Sequence, residues 1–529
     1  MTGMVFGRKK KEARDEKEEA LSKEELLGAL GIYRWRIPEG YQEVESYPLM
    51  APFSYAIIAQ NEESSEFLYI IDELPMDMEE REAFATLRGI LEEELEAPRV
   101  DQSLKEAFHE QVPLILEGHG NVVRDISPVG VKKIIYYLER DIAGYDKIDP
   151  LMFDPNIEDI SCTGFGKPLY LWHRMYENIR TSIAFDEEML NDFVIKMVHK
   201  AGKHVSLAFP IVDATLPGKH RLAVTYGREV TPSGTSFTIR KFRVDPLTII
   251  DLIKMETISE IMASYLWMLM ENKYSVMIVG ATGAGKTTAL NAIACLTHPA
   301  YKIITVEEVA EINLPHENWV STIARPGFGM ERSGEISLFD LIRSAVRHRP
   351  DLVLVGEIRG EEAYVLFQSL ATGHGGLCTM HADSVEIAMK RLTQPPMNIP
   401  SPILALMNCI VVVKHVRSPI FLEGERRISS RKFVHAAEIK PGGSIHDVSQ
   451  WIPASDTFSE DFEGSHILES LSLGLDLSMD FLLQELERRS HVLLWMAERN
   501  IRDYRSVNNV LSRYYNDPES VYEKVLKSV

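Results

Sequence analysis

Eight residues limit the choice of fold more than any other part of this chain. Residues 280–287 read GATGAGKT, which fits the pattern GxxxxGK followed by Ser or Thr. A short apolar stretch at 274–279 precedes them, and a helix-compatible stretch at 288–296 follows. Glycines allow such a loop to turn tightly with its amide groups directed at phosphate oxygens, and the following helix adds a favourable dipole. This order predicts a strand, a phosphate-binding loop and a helix rather than an ordinary glycine-rich turn.

The lysine and threonine of this motif have predicted roles in binding a nucleoside triphosphate. Lys286 is expected to neutralise β- and γ-phosphate oxygens, and the Thr287 hydroxyl is expected to ligate Mg²⁺. ATP and Mg²⁺ are therefore the predicted cofactors. The predicted nucleotide-binding residues are Gly280, Ala281, Thr282, Gly283, Ala284, Gly285, Lys286, Thr287 and Thr288.

Three further apolar stretches of the same region are followed by acidic or histidine side chains. They end before Glu307, before Gly356-Glu357 and before His381. The alternation of strand, loop and helix from about 247 to 414 predicts a parallel sheet. Ligands of such a sheet bind beyond the carboxyl ends of the strands, so these side chains should converge on the γ-phosphate. The alternative for any one of them alone is an ordinary surface residue.

Acidic groups at this edge could hold a hydrated Mg²⁺ and orient a water molecule for attack on the γ-phosphate. The strand before Glu357 lacks the Asp-Glu pair of many P-loop proteins, so Glu357 either carries the acidic role alone or shares it with Glu307. Thr287 and Glu357 are the predicted metal ligands. The predicted catalytic residues are Glu307, Glu357, Lys286 and His381. His374, in a Gly-His-Gly-Gly segment, could equally serve a turn or the reaction.

Phosphoryl transfer also benefits from a cation that is supplied by another subunit. Arginines occur both before and within the nucleotide-binding region, and each alone could be an ordinary surface residue. The candidates before it are Arg221, Arg228 and Arg240, and those within it are Arg325, Arg343 and Arg359.

Composition shifts and turn signals divide the chain into five predicted regions of an α/β protein. They are a charged flexible tail at 1–30, an N-terminal α/β domain at 31–145, a second α/β domain at 146–243, a nucleotide-binding domain at 247–420 and a largely helical C-terminal extension at 421–529. Within the extension, residues 455–478 are rich in Ser, Asp, Glu and Gly, and are expected to form a loop.

Charge and hydropathy narrow the possible partners and compartment. Lys plus Arg total 57 and Asp plus Glu total 78, so the formal charge is −21. Such an acidic chain is a poor candidate for non-specific nucleic-acid binding, and no direct nucleic-acid partner is expected. No run of about 18 apolar residues occurs, and the four widely spaced cysteines fit neither a disulfide framework nor a four-Cys zinc site. These features favour a cytoplasmic protein, whose contact with a membrane would be peripheral or through a partner.

Four motifs together resemble the type II/type IV secretion ATPase superfamily, in the branch of archaeal pilus and archaellum motor ATPases. They are the phosphate loop at 280–288, an acidic box TVEEVAEINLPHENW at 305–319, a variant acidic strand RPDLVLVGEIRGEEA at 349–363 and a histidine box ATGHGGLCTMHADS at 371–384. Segments 157–164 and 213–242 resemble the domain that precedes the motor. The four-Cys zinc module of bacterial secretion relatives is absent from the sequence, which favours the archaeal branch.

This resemblance implies a fold, an activity and partners. It implies a homo-hexamer in which a PAS-like domain is hinged to a RecA-like motor domain, with ATP between them. It further implies ATP hydrolysis coupled, through a polytopic membrane platform protein, to a pilus-like filament, an archaellum or type II-like secretion. By the same resemblance Glu307 is the acidic-box carboxylate, and Glu357 positions water or Mg²⁺. His381 lies near the γ-phosphate, and the arginines that precede the motor are candidate arginine fingers.

Three other functions are compatible with parts of the pattern. A nucleic-acid-translocating motor of the conjugation type would share the RecA-like core, although the charge disfavours it. A GTPase would need an Asn-Lys-x-Asp motif after the phosphate loop, and Asn272-Lys273 instead precedes it and lacks the aspartate. A scaffold that binds nucleotide without turnover would have no need of the intact acidic residues.

Overall fold

The computed structural model describes residues 37–99, 102–242, 245–325, 327, 334–416 and 430–527. The chain forms two compact units, Met1–Phe242 and Arg243–Val529. The predicted tail at 1–30 lies outside the described residues. No helix among the described residues is both long enough and apolar enough to cross a membrane.

The first unit is built on a sheet in which strands from two predicted domains join. Its strands are β1 (Tyr41–Met50), β2 (Ser54–Asn61), β3 (Phe67–Glu73), β4 (Ile157–Cys162), β5 (Pro168–His173), β6 (Glu177–Ala184), β7 (Ile211–Thr215), β8 (Arg221–Thr225) and β9 (Ser236–Arg240). Their order is β1-β2-β3-β6-β5-β4-β9-β8-β7. The parallel pairing of β3 with β6 links the strands of the predicted 31–145 region to those of 146–243.

Helices of the first unit pack against this sheet and also form a separate hydrophobic core. They are α1 (Met78–Glu94), α2 (Leu104–Gly118), α3 (Pro128–Ile142), α4 (Asp149–Phe153) and α5 (Glu187–Lys200). Helix α5 buries its apolar side, including Leu190 and Val194, against the sheet. Helices α1 to α3 share a second core around Leu87 and Phe108. Asp77 begins α1 with a reciprocal capping box, which stabilises its first turn.

The second unit contains the predicted parallel sheet. Its strands are β10 (Val276–Val279), β11 (Ile303–Glu307), β12 (Trp319–Ile323), β13 (Leu352–Val355), β14 (Gly375–Met380), β15 (Cys409–Val416), β16 (Ser430–Ile439), β17 (Ile445–Ile452) and β18 (Thr457–Glu460). Their order is β12-β11-β13-β14-β10-β15-β16-β17-β18. In this order, the strands β12, β11, β13, β14, β10 and β15 run parallel to one another. Strands β16, β17 and β18 then extend the sheet beyond β15, each antiparallel to its neighbour.

Helices pack on both faces of the second sheet. They are α6 (Ile249–Lys254), α7 (Glu260–Glu271), α8 (Lys286–Ala294), α9 (Leu338–Arg347), α10 (Glu362–Ala371), α11 (Val385–Thr393), α12 (His466–Leu475), α13 (Met479–Glu498), α14 (Tyr504–Asn516) and α15 (Pro518–Leu526). One core joins α7, α8 and the C-terminal helices, and a second joins α9 to α11. The strands are almost continuously apolar because both faces are buried. The predicted α/β class is confirmed, as is the predicted parallel sheet behind the phosphate loop, and the PAS-like assignment of 146–243 stays a prediction.

The C-terminal extension is less helical than its sequence suggests. Strands β16 to β18 occupy most of 430–460, and within the described part of the extension, 430–527, the first helix begins at His466. The expectation of a loop over 455–478 is wrong, since β18 and α12 lie within it. Helix α12 forms there because Ser465 accepts a hydrogen bond from the Leu468 amide, while the buried Glu438 carboxylate accepts one from the His466 amide. Because Glu438 lies in β16, the sequence next to His466 could not indicate the contact between the Glu438 carboxylate and the start of α12.

Candidate functional site

The phosphate loop has the strand–loop–helix form that its sequence predicts. It leaves the end of β10 and enters α8 at Lys286, with Gly283 and Gly285 at φ of +76° and +96°. Both values lie in the left-handed region, which a residue with a Cβ adopts only at a cost. At Gly280 a Cβ would collide with the Val413 carbonyl oxygen. These three glycines therefore allow a tight cradle, and no side chain caps the N-terminus of α8.

The remaining loop residues line this cradle or support it. Ala281 and Thr282 are exposed, whereas Ala284 is buried and donates its amide to the Ala281 carbonyl. Thr287 and Thr288 are half-buried in the first turn of α8. Amide groups at a helix start lack partners within the helix and favour anions. The loop therefore fits the phosphates of a nucleotide.

Lys286 extends from the start of α8 back across the loop. Its Nζ donates to the carbonyl oxygens of Gly280 at 3.1 Å and Ala281 at 3.0 Å. The same Nζ lies 3.2 Å from Nδ1 of His381. Burial lowers the pKa of Lys286, although the charge of Glu357 opposes this shift. The structure thus brings the predicted lysine and the predicted histidine into direct contact.

His381 connects Lys286 to the acidic group of the next strand. Its Nε2 lies 3.0 Å from Oε1 of Glu357. An ammonium group can only donate, so Nδ1 of His381 accepts from Lys286, and the imidazole ring lies between the lysine and the carboxylate. Glu357 is the second residue after β13 and His381 is the first after β14, and these strands are neighbours. The predicted convergence at the carboxyl edge is therefore present among these residues.

Glu357 is held on its other side by an arginine. Nη2 of Arg359 lies 2.7 Å from Oε2 of Glu357, and Nη1 lies 3.5 Å from Oε2 of Glu308. Burial would raise the pKa of Glu357, but the hydrogen bond and charge of Arg359 hold it below its ordinary value. The same bond raises the pKa of Arg359. Glu357 is therefore a carboxylate at neutral pH, as a metal ligand or water-orienting group must be.

Glu307 occupies a more enclosed position at the end of β11, with 2 % of its surface exposed. Its Oε1 accepts hydrogen bonds from the backbone amides of Glu311 and Ile312, each at 2.8 Å. A Cβ at Gly356 would lie 3.4 Å from Cγ of Glu307, an ordinary van der Waals distance, so the two acidic strand ends are neighbours. The carboxylate both shapes the segment after β11 and stands beside the Glu357 segment.

Two residues of this region were not predicted. Asn291 of α8 contacts the segment after β11, and Arg431 of β16 covers the outside of the phosphate loop. Nε of Arg431 donates to the Gly283 carbonyl at 3.3 Å, and its Cδ lies 3.0 Å from the place of a Cβ on Gly285. Arg431 is 148 residues from Gly283, so no local motif could reveal it. Asn291 carries one sequence signal, a polar side chain on the buried side of an apolar helix.

The candidate arginine fingers lie in the first unit and are all exposed. Arg240 of β9 is paired in register with Arg221 of β8, and its Nε lies 3.0 Å from Oδ1 of Asp159. Arg228 instead forms a two-point ion pair with Glu187 at the start of α5. The finger role of all three remains a prediction.

His374 is better explained by a turn than by the reaction. It lies between α10 and β14, at the amino edge of the sheet, opposite the edge that carries the phosphate loop. Its Nδ1 contacts the Thr372 hydroxyl at 3.0 Å and the Ser369 carbonyl at 3.1 Å. The structure therefore separates His374 from the other candidate residues.

Thr287 and Glu357 remain the predicted ligands of a cation. The hydroxyl of Thr287 and the carboxylate of Glu357 are hard donors of the kind that Mg²⁺ prefers, and nucleotide sites add phosphate oxygens to them. Across the described residues, no cluster of three or more His, Cys, Asp or Glu side chains has the geometry of a metal site. The donors present therefore fit a magnesium ion that arrives with a nucleotide.

Comparison with known proteins gives a matching family model, similar proteins from archaea and bacteria, and similar solved structures. Residues 174–422 match the family described as Type II/IV secretion system protein. MJ0900 of Methanocaldococcus jannaschii is 36 % identical over 400 residues, covering 74 % of this chain and 71 % of the relative. The type IV secretion system protein PtlH of Bordetella pertussis is 29 % identical over 269 residues, covering 46 % of this chain and 79 % of PtlH. The solved ATPase DotB of Legionella pneumophila is 17 % identical, covering 71 % of this chain and 92 % of DotB, with a TM-score of 0.40.

Proposed function

We propose a function for this chain from one premise: it belongs to the family of type II/IV secretion system proteins. The chain is a hexameric ATPase that hydrolyses ATP to ADP and phosphate. Its hydrolysis powers the assembly or rotation of a type IV pilus-like filament or archaellum, or type II-like secretion. The observation that carries this proposal is the contact series from Lys286 through His381 to Glu357, which starts at the phosphate loop and crosses two neighbouring strand ends.

Each residue of this series has a role that follows from its contacts. Lys286 moves from the loop carbonyls to β- and γ-phosphate oxygens, because these charged acceptors are stronger than neutral ones. His381 lies between Lys286 and Glu357, with one ring nitrogen near each of them, and so relates the positions of the two groups. Glu357 orients a water molecule or a metal-bound water, and Glu307 provides the neighbouring acidic group. A bound Mg²⁺ would be held by Thr287 and Glu357 and would neutralise charge on the phosphates.

The family resemblance supports the parts of the proposal that concern assembly and location. Arg221, Arg228 and Arg240 are the candidates that act on the nucleotide of a neighbouring subunit. Closing and reopening of each subunit during turnover would pass work to a polytopic membrane platform protein. The chain would then act in the cytoplasm, peripherally bound at the inner face of the cell membrane.

The first test is ATP turnover as a function of protein concentration. We expect wild-type turnover per chain to rise with concentration, because a neighbouring subunit completes the site. Lys286→Ala should abolish turnover by removing the phosphate contact, and Glu357→Gln should abolish it while nucleotide binding remains. The readouts are phosphate release and equilibrium binding of a fluorescent ATP analogue.

A control variant shows whether any substitution of a charged residue in the second unit lowers turnover. Arg347→Ala removes an exposed arginine at the end of α9 and should leave turnover within about twofold of wild type. Turnover per chain that stays flat at all concentrations would contradict the role of a neighbouring subunit. Normal turnover by Glu357→Gln would contradict the proposed site. Strong stimulation of turnover by DNA would favour the conjugation-type motor instead.

A further inference from the structure

Asn291 connects the phosphate-loop helix to the acidic segment that follows β11. It lies in α8, four residues after Thr287, with 5 % of its surface exposed. Its Nδ2 donates to the carbonyl of Glu311 at 3.2 Å and to the carbonyl of Thr287 at 3.2 Å. Its Oδ1 accepts from the backbone amide of Asn313 at 2.9 Å. One side chain thus bonds to its own helix and to both ends of a three-residue segment.

The same segment is held from its other side by Glu307. The Glu307 carboxylate accepts from the amides of Glu311 and Ile312 through a single oxygen, Oε1. Residues 311–313 therefore lie between the Asn291 amide group and the Glu307 carboxylate. A shift of this segment would rotate the Glu307 side chain, since both of these bonds to its Oε1 come from that segment. A shift of α8 would move the segment through Asn291.

We infer that Asn291 is a positioning residue that sets the orientation of the Glu307 carboxylate relative to the phosphate loop. The inference rests on the proposed function, in which Glu307 supplies an acidic group for ATP hydrolysis. The hydrogen bonds of the Asn291 side chain reach backbone groups, those of Thr287, Glu311 and Asn313, so we expect its effect to fall on the rate of the chemical step more than on nucleotide binding. An amide is suited to this place because it donates to one carbonyl and accepts from one amide of the same segment.

The test compares Asn291→Ala and Asn291→Asp with the control Asn408→Ala. Asn408 makes a similar set of contacts at the opposite edge of the same sheet, where it accepts from the Ser275 amide at 2.8 Å and donates to the Ala405 carbonyl at 3.3 Å. We expect Asn291→Ala to lower kcat about 10- to 100-fold, with KM for Mg-ATP within about threefold of wild type. Asn408→Ala should lower thermal stability to a similar degree and leave kcat near wild type.

The Asn291→Asp variant adds a second measurement, the pH dependence of kcat, which a purely structural role of Asn291 would not change. A carboxylate keeps the acceptor for the Asn313 amide but cannot donate to the Glu311 carbonyl, whereas the protonated acid can. Burial next to carbonyl oxygens should raise the pKa of this new aspartate. The kcat of Asn291→Asp relative to wild type should therefore be higher at pH 6 than at pH 8. A constant ratio between these pH values would overturn the inference.

A measurement without turnover separates this inference from the proposed function. Amide hydrogen exchange of a peptide containing residues 308–314 should be faster in Asn291→Ala than in wild type or Asn408→Ala. Unchanged exchange there, or unchanged kcat in Asn291→Ala beside an inactive Glu307→Gln, would overturn the positioning role alone. Absence of wild-type turnover would overturn the proposed function, and the exchange rates would still show whether Asn291 holds the segment.

Discussion

At the scale of single residues, the ionisation of Glu357 depends on one neighbouring arginine. Arg359 holds the pKa of Glu357 below its ordinary value of 4.5 against the opposing effect of burial. Because the folded pKa is lowered, the stabilising effect of this carboxylate is complete above the ordinary value and is lost as pH falls through the folded value. Wild-type activity should therefore survive mild acid.

Arg359→Ala should raise the pKa of Glu357, because burial then acts without the opposing charge. We expect the acid limb of the pH–kcat profile to move to higher pH, so that the variant loses activity at a pH at which wild type remains active. Steady-state turnover from pH 4.5 to 8 measures this shift. Arg347→Ala is the control, and an identical acid limb in both variants would contradict the role of Arg359.

At the scale of elements, a buried arginine joins the C-terminal helices to α7 of the second unit. Arg489 of α13 lies 2.5 Å from Glu271 of α7 and 2.9 Å from Glu485, with 7 % of its side chain exposed. Its guanidinium also stacks on the rings of Trp267 and Tyr514. These contacts make the helices after His466 part of the second unit's core.

Removal of this arginine should be far more costly than removal of an exposed one. Arg489→Ala leaves two acidic groups without their buried counter-charge, so we expect the free energy of unfolding to fall by about 3–5 kcal/mol. Arg499→Ala, at the exposed end of the same helix, should cost at most about 1 kcal/mol. Calorimetric unfolding of the full chain measures both, and equal effects would refute the buried-pair interpretation.

A second element-scale prediction concerns Lys241, directly after β9. Its Nζ donates to the carbonyls of Leu151, at 2.7 Å, and Asp154. Burial lowers the pKa of Lys241 from 10.5 to about 8, against the opposing charge of Asp154. Between these values the unfolded chain holds a proton that the folded chain has released, so the free energy of unfolding from this group rises with pH.

Lys241→Met should reduce this pH dependence. We expect urea unfolding of wild type to show a larger increase in stability from pH 8 to pH 10 than the variant shows. Lys167→Met, which replaces an exposed lysine of the same unit, should retain the wild-type increase. If Lys241→Met showed the same increase in stability from pH 8 to pH 10 as wild type, titration of Lys241 would not be the cause of that increase.

At the scale of the whole molecule, each of the two units has its own hydrophobic core. A fragment of residues 245–527 should therefore fold alone and bind ATP, because the contacts of Lys286, His381 and Glu357 all lie within it. Its turnover should fall at least about tenfold below that of the full chain, since the candidate arginine fingers are missing. Circular dichroism, nucleotide binding and phosphate release test these statements in turn.

Single substitutions in the full chain then test which arginine accounts for the turnover that the fragment lacks. Arg221→Ala or Arg240→Ala should reproduce the loss of turnover with nucleotide binding intact, if either arginine acts on a neighbouring subunit. Full activity of the isolated fragment would show that the first unit contributes nothing to hydrolysis. The same result would remove Arg221, Arg228 and Arg240 from the proposal together.

Local sequence was sufficient to predict the phosphate loop, the parallel sheet behind it and the acidic and histidine residues at its strand ends. The reason is that glycine spacing and apolar runs act on backbone conformation over fewer than ten residues. The contacts that link these residues depend instead on which strands become neighbours. Lys286 meets His381 across 95 residues of chain, and Arg431 meets Gly283 across 148. Asn291, the β3–β6 pairing and the Glu438 cap likewise required the tertiary structure, because burial selects such partners only after the sheet has formed.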